Sequence, residues 1–311
     1  MNKPTSNYAE HRVRGSVLLL VLWALLLLSG VVFAWVKTIN QDISIIHQAN
    51  SGLDARALAH SGAWIALHPL VSNQTPLLDG TFGPTRGYHV KLTGEGGKLN
   101  LNVLLQMILA GNGQNQRLLL ENYLTRRGLS QQERAILIDS LLDWVQPGNT
   151  RHLNGMQDSA TYKNAHRPFL TLDEVEKVNG SGPLVSKPDW KNDFTLYTQH
   201  GKIDLLTASL PVLQSIPGIG DARAIQFLNI RQGPDHLDGT KDDHVFKDIT
   251  EVRSFLGLSE TQFQQISNLV AIQDSTYHIL SEGRSGDVKR QLEVIAQKSG
   301  ASPVILYWKE I

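Results

Sequence analysis

Cysteine is absent from the 311 residues, which excludes disulfide staples, thiolate nucleophiles and Cys-ligated metal centres. Loops in such a chain are held by packing, hydrogen bonds or ions. Charge of one sign is equally lacking: 29 Lys and Arg face 29 Asp and Glu, so no global field draws the chain toward nucleic acid or anionic lipid. The 11 histidines are scattered singly, and neither HExxH nor GxSxG occurs. Asp139 and Asp143 share a helix face at i,i+4, but no base, nucleophile or metal triad accompanies them. An enzyme is not expected. Proline, too, is missing from Ser16 through His68, until Pro69. One continuous helix over 16–68, about 80 Å long at 1.5 Å per residue, is therefore allowed.

The first part of that helix, Ser16 to Val36, carries no charge and spans about 30 Å, the hydrocarbon thickness of a bilayer. It is too long for the apolar core of a signal peptide, and Val32-Phe33-Ala34 is a poor cleavage site behind it. Arg12 and Arg14 precede it and put the N-terminus on the cytoplasmic side of an inner membrane. A single-pass anchor with the bulk of the chain in the periplasm is the expected arrangement. A short basic leader ending in Gly, then a small residue, then the apolar run resembles type IV prepilins and pseudopilins. That resemblance implies a prepilin-peptidase cut between Gly15 and Ser16, and methylation of the new N-terminus.

Beyond the membrane, Ile39, Ile43, Ile46, Leu53, Ala57 and Trp64 recur at helical steps and predict one stripe for packing onto a sheet. Gly52, Ala55, Ala59, Ser61, Gly62 and Ala63 would let a further body lie close against the same segment. Strand patterns follow at 88–93 and, near the other end, at 277–280, 288–295 and 304–308; the residues from Asp79 to Gly87 read as a loop. About 180 residues of mostly helical pattern lie between them. The expected fold is α+β: a long N-terminal transmembrane helix on a small antiparallel sheet, with a large helical domain inserted. The segments are a leader at 1–15, the helix at 16–68 (16–36 in the membrane), the sheet at 69–96 and 275–311, and the insert at 97–274.

The insert carries an internal repeat. Gly97-Lys98-Leu99-Asn100-Leu101 is echoed by Gly201-Lys202-Ile203-Asp204-Leu205. Phe169 to Val175, closed by Gly180, is echoed by Phe246 to Val252, closed by Gly257. Thr171 and Asp248 are the expected N-caps, with Glu174 and Glu251 completing capping boxes.

Two motifs invite ligands. Ile216-Pro217-Gly218-Ile219-Gly220 resembles a helix-hairpin-helix turn, whose glycines let backbone N–H groups approach a phosphate. Arg223 and Arg231 follow it, thin support for a polyanion, so a packing turn is the favoured reading and nucleic acid is not an expected partner. In the stretch Asp235 to Asp243, the carboxylates Asp235, Asp238, Asp242 and Asp243 surround Gly239. Calcium takes six to eight oxygens in flexible geometry, and four carboxylates so close would repel one another without a cation. Calcium is the expected cofactor, with those four as ligands.

Taken together, the Arg-Gly cut site, the apolar helix, Gly97-Lys98-Leu99-Asn100-Leu101-Asn102, Leu142-Asp143-Trp144, Gly155 to Tyr162, Pro168-Phe169 to Val175 and Gly201-Lys202 leading into Thr207-Ala208 and Leu213 resemble the minor pseudopilin K family of type II secretion. The resemblance implies a pseudopilin fold with a helical insert and a place at the pseudopilus tip. It also implies that the I and J minor pseudopilins are partners in starting assembly for protein export across the outer membrane. Most pilins carry Glu at the fifth mature position, neutralised by the ammonium of the subunit ahead; here Leu20 stands there, and a subunit with nothing ahead needs no such Glu. The Asp-rich turn that commonly follows the Asp-Trp pair is replaced by Gln146-Pro147-Gly148-Asn149. The other reading is a membrane-anchored helix-hairpin-helix DNA-binding protein of a competence or type IV pilus system.

Overall fold

The computed structural model describes residues 10–198, 200–238, 240, 242–299 and 302–311, with side chains for all of these except 10–16 and 40–48. Helix α1 runs unbroken from Glu10 to Leu67 and ends just before Pro69, as the proline spacing predicts. Its segment Val17–Ile39 is long and apolar enough to cross a membrane, and none of it is buried. The expected anchor thus extends three residues further than Val36.

After a 3-10 turn at Pro76–Leu78, strand β1 (Asp79–Thr81) forms a hairpin with β2 (Arg86–Gly94). The chain then leaves the sheet. Within the excursion lie β3 (Leu99–Asn100), α2 (Leu101–Leu109), α3 (Gln114–Arg126), α4 (Gln131–Val145), α5 (Gly182–Val185), β4 (Phe194–Thr195), β5 (Ile203–Asp204), α6 (Leu210–Ser215), α7 (Gly220–Gln232), α8 (Ile249–Phe255), α9 (Glu260–Ile266) and β6 (Val270–Ala271). It returns in β7 (Thr276–Ser285), β8 (Val288–Gln297) and β9 (Val304–Glu310). The sheet order is β1-β2-β7-β8-β9, antiparallel throughout, while β3–β4 and β5–β6 are short parallel pairs inside the insert. This is the α+β architecture read from the sequence. The hairpin strand β1 is the addition: three residues with a central glycine carry no alternation to detect.

Alternate residues Val90 and Leu92, Ile279, and Leu292, Val294 and Ala296 face α1 and form one core with Leu58, Ala59, Ala63, Ala66 and Leu67. This reverses the expected division of labour on α1. The small residues Ala55, Ala59, Gly62 and Ala63 lie against the chain's own sheet, whereas Leu53 is 65% exposed and Trp64 57% exposed. The side chains of Ile43 and Ile46 lie outside the described residues. A close approach is the physical reason: a Cβ on Gly283 of β7 would collide with the Ala55 carbonyl, and one on Gly62 would stand 2.6 Å from the Ser281 hydroxyl. Ser281 completes the seam by donating Oγ–H to the Ala59 carbonyl at 2.7 Å. Only small residues admit a helix backbone that near a strand. At the end of α1, the Lys298 ammonium donates at 2.8 Å to the carbonyl of Ala66, an acceptor of the last helical turn, and at 2.6 Å to that of Val71 just beyond the helix.

A second core, from Leu99 through Val270, belongs to the insert. The repeated segments play matched parts in it. Leu99 and Ile203 are each 1% exposed and start short strands. Asn100 accepts from Val103 N–H, and Asp204 from Leu206 N–H. Phe169 and Phe246, and Val175 and Val252, are buried, and Gly180 and Gly257 both take positive φ. Asp248 caps α8 as expected. Thr171 does not cap: its segment is a 3-10 helix whose N-cap has no side-chain bond, and Glu174 instead accepts from Leu170 N–H at 3.2 Å.

Candidate functional site

The four carboxylates of the acidic loop are not arranged alike. Asp238 reaches back to Arg231 in a bidentate pair, 2.9 Å from Nε and 3.0 Å from Nη2, and takes a further bond from Gln232. The Arg231 guanidinium is buried and also donates to the carbonyls of Leu205 and Ala208 at 3.0 and 2.8 Å. Asp242 accepts from Asp235 N–H at 3.1 Å and from the Thr240 hydroxyl at 2.7 Å, and these bonds hold its carboxyl below the ordinary range, the hydroxyl contributing most. Asp235 accepts from Leu237 N–H, and Asp243 from Thr240. Donors within the loop therefore offset the repulsion that the sequence reading assigned to a cation. Gly239 and Lys241 lie outside the described residues. Among the described residues no three His, Cys, Asp or Glu side chains are grouped to hold a metal, and Asp238 would have to leave Arg231 to join one. The loop also touches the segment between α1 and β1, where Gln74 donates to the Thr240 carbonyl at 2.7 Å.

The glycine hairpin between α6 and α7 is built for packing. Ile216 and Ile219 are buried; Gly218 and Gly220 take positive φ, which the turn requires and other residues resist. Arg223 bonds the Gly218 carbonyl, Asp221 pairs with Arg126, and Arg231 is committed to Asp238. Of the two arginines named for a polyanion, one is buried and the other serves its own turn.

On α1, Leu20 is 70% exposed. Gly15 and Ser16 fall on the helical backbone, with no side-chain detail at either position, and the leader residues 1–9 lie outside the described residues. Above the span, Leu53, Ala57, Ser61 and Trp64 face outward. Trp64 and His60 touch Trp308 of β9, with ring centroids 5.8 and 5.5 Å apart. Beside this face lies a cleft of about 270 Å3 lined by Arg56, His60, Arg290 and Glu310 among others. Glu310 accepts from Arg56 at 2.6 and 2.9 Å and lies 3.0 Å from His60 Nε2. The sequence shows no signal for this cleft, because its members come from opposite ends of the chain.

A second cluster, built on the Asp139 and Asp143 that share a face of α4, closes the irregular segment after that helix with partners the sequence did not indicate. Buried Asp143 lies 2.6 Å from His152 Nδ1, and Asp139 accepts from Asn154 N–H at 3.0 Å and from Arg117 at 3.3 Å. Asp158 accepts from Asn164 N–H at 2.9 Å and sits 3.4 Å from His166 Nε2. The Asn164 N–H leads the causes that hold the Asp158 carboxyl below the usual range, and the Gln146 carbonyl leads those that raise His166.

Among solved structures, this architecture matches a chain of the GspK-GspI-GspJ complex from the enterotoxigenic Escherichia coli Type 2 Secretion System. The match has a TM-score of 0.60 at 16% identity and covers 88% of this chain and 98% of that one. The chain has a GspK-like fold. No protein-family model and no curated protein sequence matches it. The agreement extends over nearly the whole length, so the helical insert is part of the shared fold and not an addition to it.

Proposed function

We propose that this chain is a minor pseudopilin at the tip of a type II secretion pseudopilus, anchored once in the inner membrane with its bulk in the periplasm. It starts assembly with the I and J minor pseudopilins and so supports export across the outer membrane. The observation that carries this reading is the outward face of α1. A helix that already buries its small residues against its own sheet leaves Leu53, Ala57 and Trp64 uncovered just beyond a membrane span, and unburied apolar surface of that kind marks an interface. The GspK-like fold supports the partner class, and Leu20 supports the terminal position, since no carboxylate awaits an amine from a subunit ahead. Prepilin peptidase removes the leader between Gly15 and Ser16 in this proposal. Calcium at Asp235, Asp238, Asp242 and Asp243 belongs to it only if Asp238 exchanges Arg231 for the ion.

Deleting the gene should leave few pseudopili, and labelled copies in a complemented strain should sit at one filament end. Mass spectrometry of the membrane-extracted chain should find Ser16 at its N-terminus. Label spread along the shaft would contradict the tip role.

A further inference from the structure

Arg56, His60 and Arg290 line the cleft between α1 and β9 beside a single acidic side chain, Glu310. Arg56 and His60 share one carboxylate, that of Glu310. Arg290 lies across Gly52, where an added Cβ would stand 3.7 Å from its Nη2, and among the described residues its guanidinium bonds only the Lys289 carbonyl, at 3.4 Å. The neighbouring acids are taken: Glu282 by Lys289, Glu293 by His278, Asp54 by Arg86. Among the described residues no carboxylate pairs with Arg290.

This charge borders the uncovered apolar face. Leu53 and Trp64, about 16 Å apart at 1.5 Å per residue, flank the small Ala57 and Ser61, while Arg56 and His60 form the edge of the same face toward Arg290. A second helix laid along the small residues would approach closely and bring one of its flanks over the cleft.

We propose that the cleft receives an Asp or Glu side chain carried by the helix of a neighbouring minor pseudopilin laid along Leu53 to Trp64, with Arg290 as the cation that pairs with it. The inference rests on the assembly role above and adds the chemistry of the partner: a helix with an apolar stripe and an acidic flank. Charge at the rim of an apolar contact selects and orients the partner more than it adds raw affinity, so the pairing fixes which helix docks and in which register.

The test uses the full-length chain in neutral detergent, co-expressed with its own I and J pseudopilins and purified at 50 and 500 mM salt. Arg290→Glu should lower retained partner about tenfold at low salt, equivalent to about 1.4 kcal/mol. Arg290→Lys should retain it, since a point charge suffices, and Arg290→Ala should erase the difference between the two salt conditions. Changing the matching acidic partner residue to Lys should restore binding to the Arg290→Glu chain. Because Arg290 is exposed, circular dichroism should show an unchanged fold. Retention by the Arg290→Glu chain equal to the unmodified chain at both salts overturns the inference and leaves the assembly role standing. If even the unmodified chain retains neither partner, both fall. If Arg290→Glu loses only binding to phosphatidylglycerol vesicles, the cleft reads lipid headgroups and the inference is likewise overturned.

Discussion

Replacing Asp238 with Ala should destabilise the insert even though Asp238 sits in a loop. The Arg231 side chain is 5% exposed and that of Asp238 53% exposed, so the substitution strands a buried guanidinium while removing a half-exposed carboxylate. Breaking a fully buried pair costs about 3–5 kcal/mol, and an exposed pair contributes about 0–1 kcal/mol. With one partner on each side of that divide, and two carbonyls still bonding Arg231, the expected loss is about 2 kcal/mol. In a domain of this size that lowers the melting temperature by about 4–8 °C. Asp238→Asn keeps the shape and should lose about half as much. The assay is thermal unfolding of the full chain in detergent, followed by near-ultraviolet circular dichroism, with and without millimolar calcium. Like-charge repulsion alone would let Asp238→Asn melt at the same temperature or higher in the absence of calcium. A melting temperature for Asp238→Ala within 1 °C of the unmodified chain refutes the clamp. A calcium-dependent rise in the unmodified chain, lost in Asp242→Asn, would support the ion in the loop.

Gly283→Ala should cost about 3 kcal/mol, near the upper end for overpacking, because the added methyl meets backbone atoms of α1 that cannot turn aside; chemical denaturation measures it, and a neutral result would sink the close-seam reading. Lys298→Met keeps the stem and removes the bonds to Ala66 and Val71, for an expected loss of about 1–2 kcal/mol in the same assay. The segment 146–166 should be best protected from hydrogen exchange at mildly acidic to neutral pH. The pKa of His166 is raised from 6.5, so its contribution is full below that value and fades as pH rises through the folded-state value. The pKa of Asp158 is lowered from 3.8, so its contribution is full above that value and fades as pH falls through the folded-state value. His166→Ala should remove the alkaline loss, and protection factors that stay flat from pH 6 to 9 in the unmodified chain would contradict this.

The sheet was legible because Val90 and Leu92, and Leu292 and Val294, alternate with polar neighbours. The apolar span of α1 was legible because Ser16 to Val36 carries no charge and is long enough to cross a bilayer. On α1 the periodicity separated Leu53, Ala57 and Trp64 from Ala55, Ala59, Gly62 and Ala63 but assigned the two sets the wrong way round, and it put Ser61 with the second set although Ser61 is exposed beside the first. Size suggested that Leu and Trp go inward, whereas the seam needs the smallest side chains, and no single-sequence pattern says how near two backbones come. The acidic loop was found, but its electrostatics depended on Arg231, seven residues before Asp238 and buried by contacts with Leu205 and Ala208 that sequence spacing does not reveal. The cleft at Arg56, Arg290 and Glu310 unites positions more than 200 apart in the chain, and only the folded sheet brings them together.

The seam along α1 has a mechanical consequence. Helix α1 passes from Glu10 to Leu67 without a proline or a break, and Gly283, Ser281 and Gly62 key it to the sheet at one register. Sliding the helix by a turn would drive Leu58 or another larger side chain into the gap that Ala55 and Ala59 now fill. The contact therefore resists shear along the helix axis much as a keyed shaft does. Axial displacement of the apolar end of α1 is passed to the sheet without slip, and through the sheet's two connections to the insert.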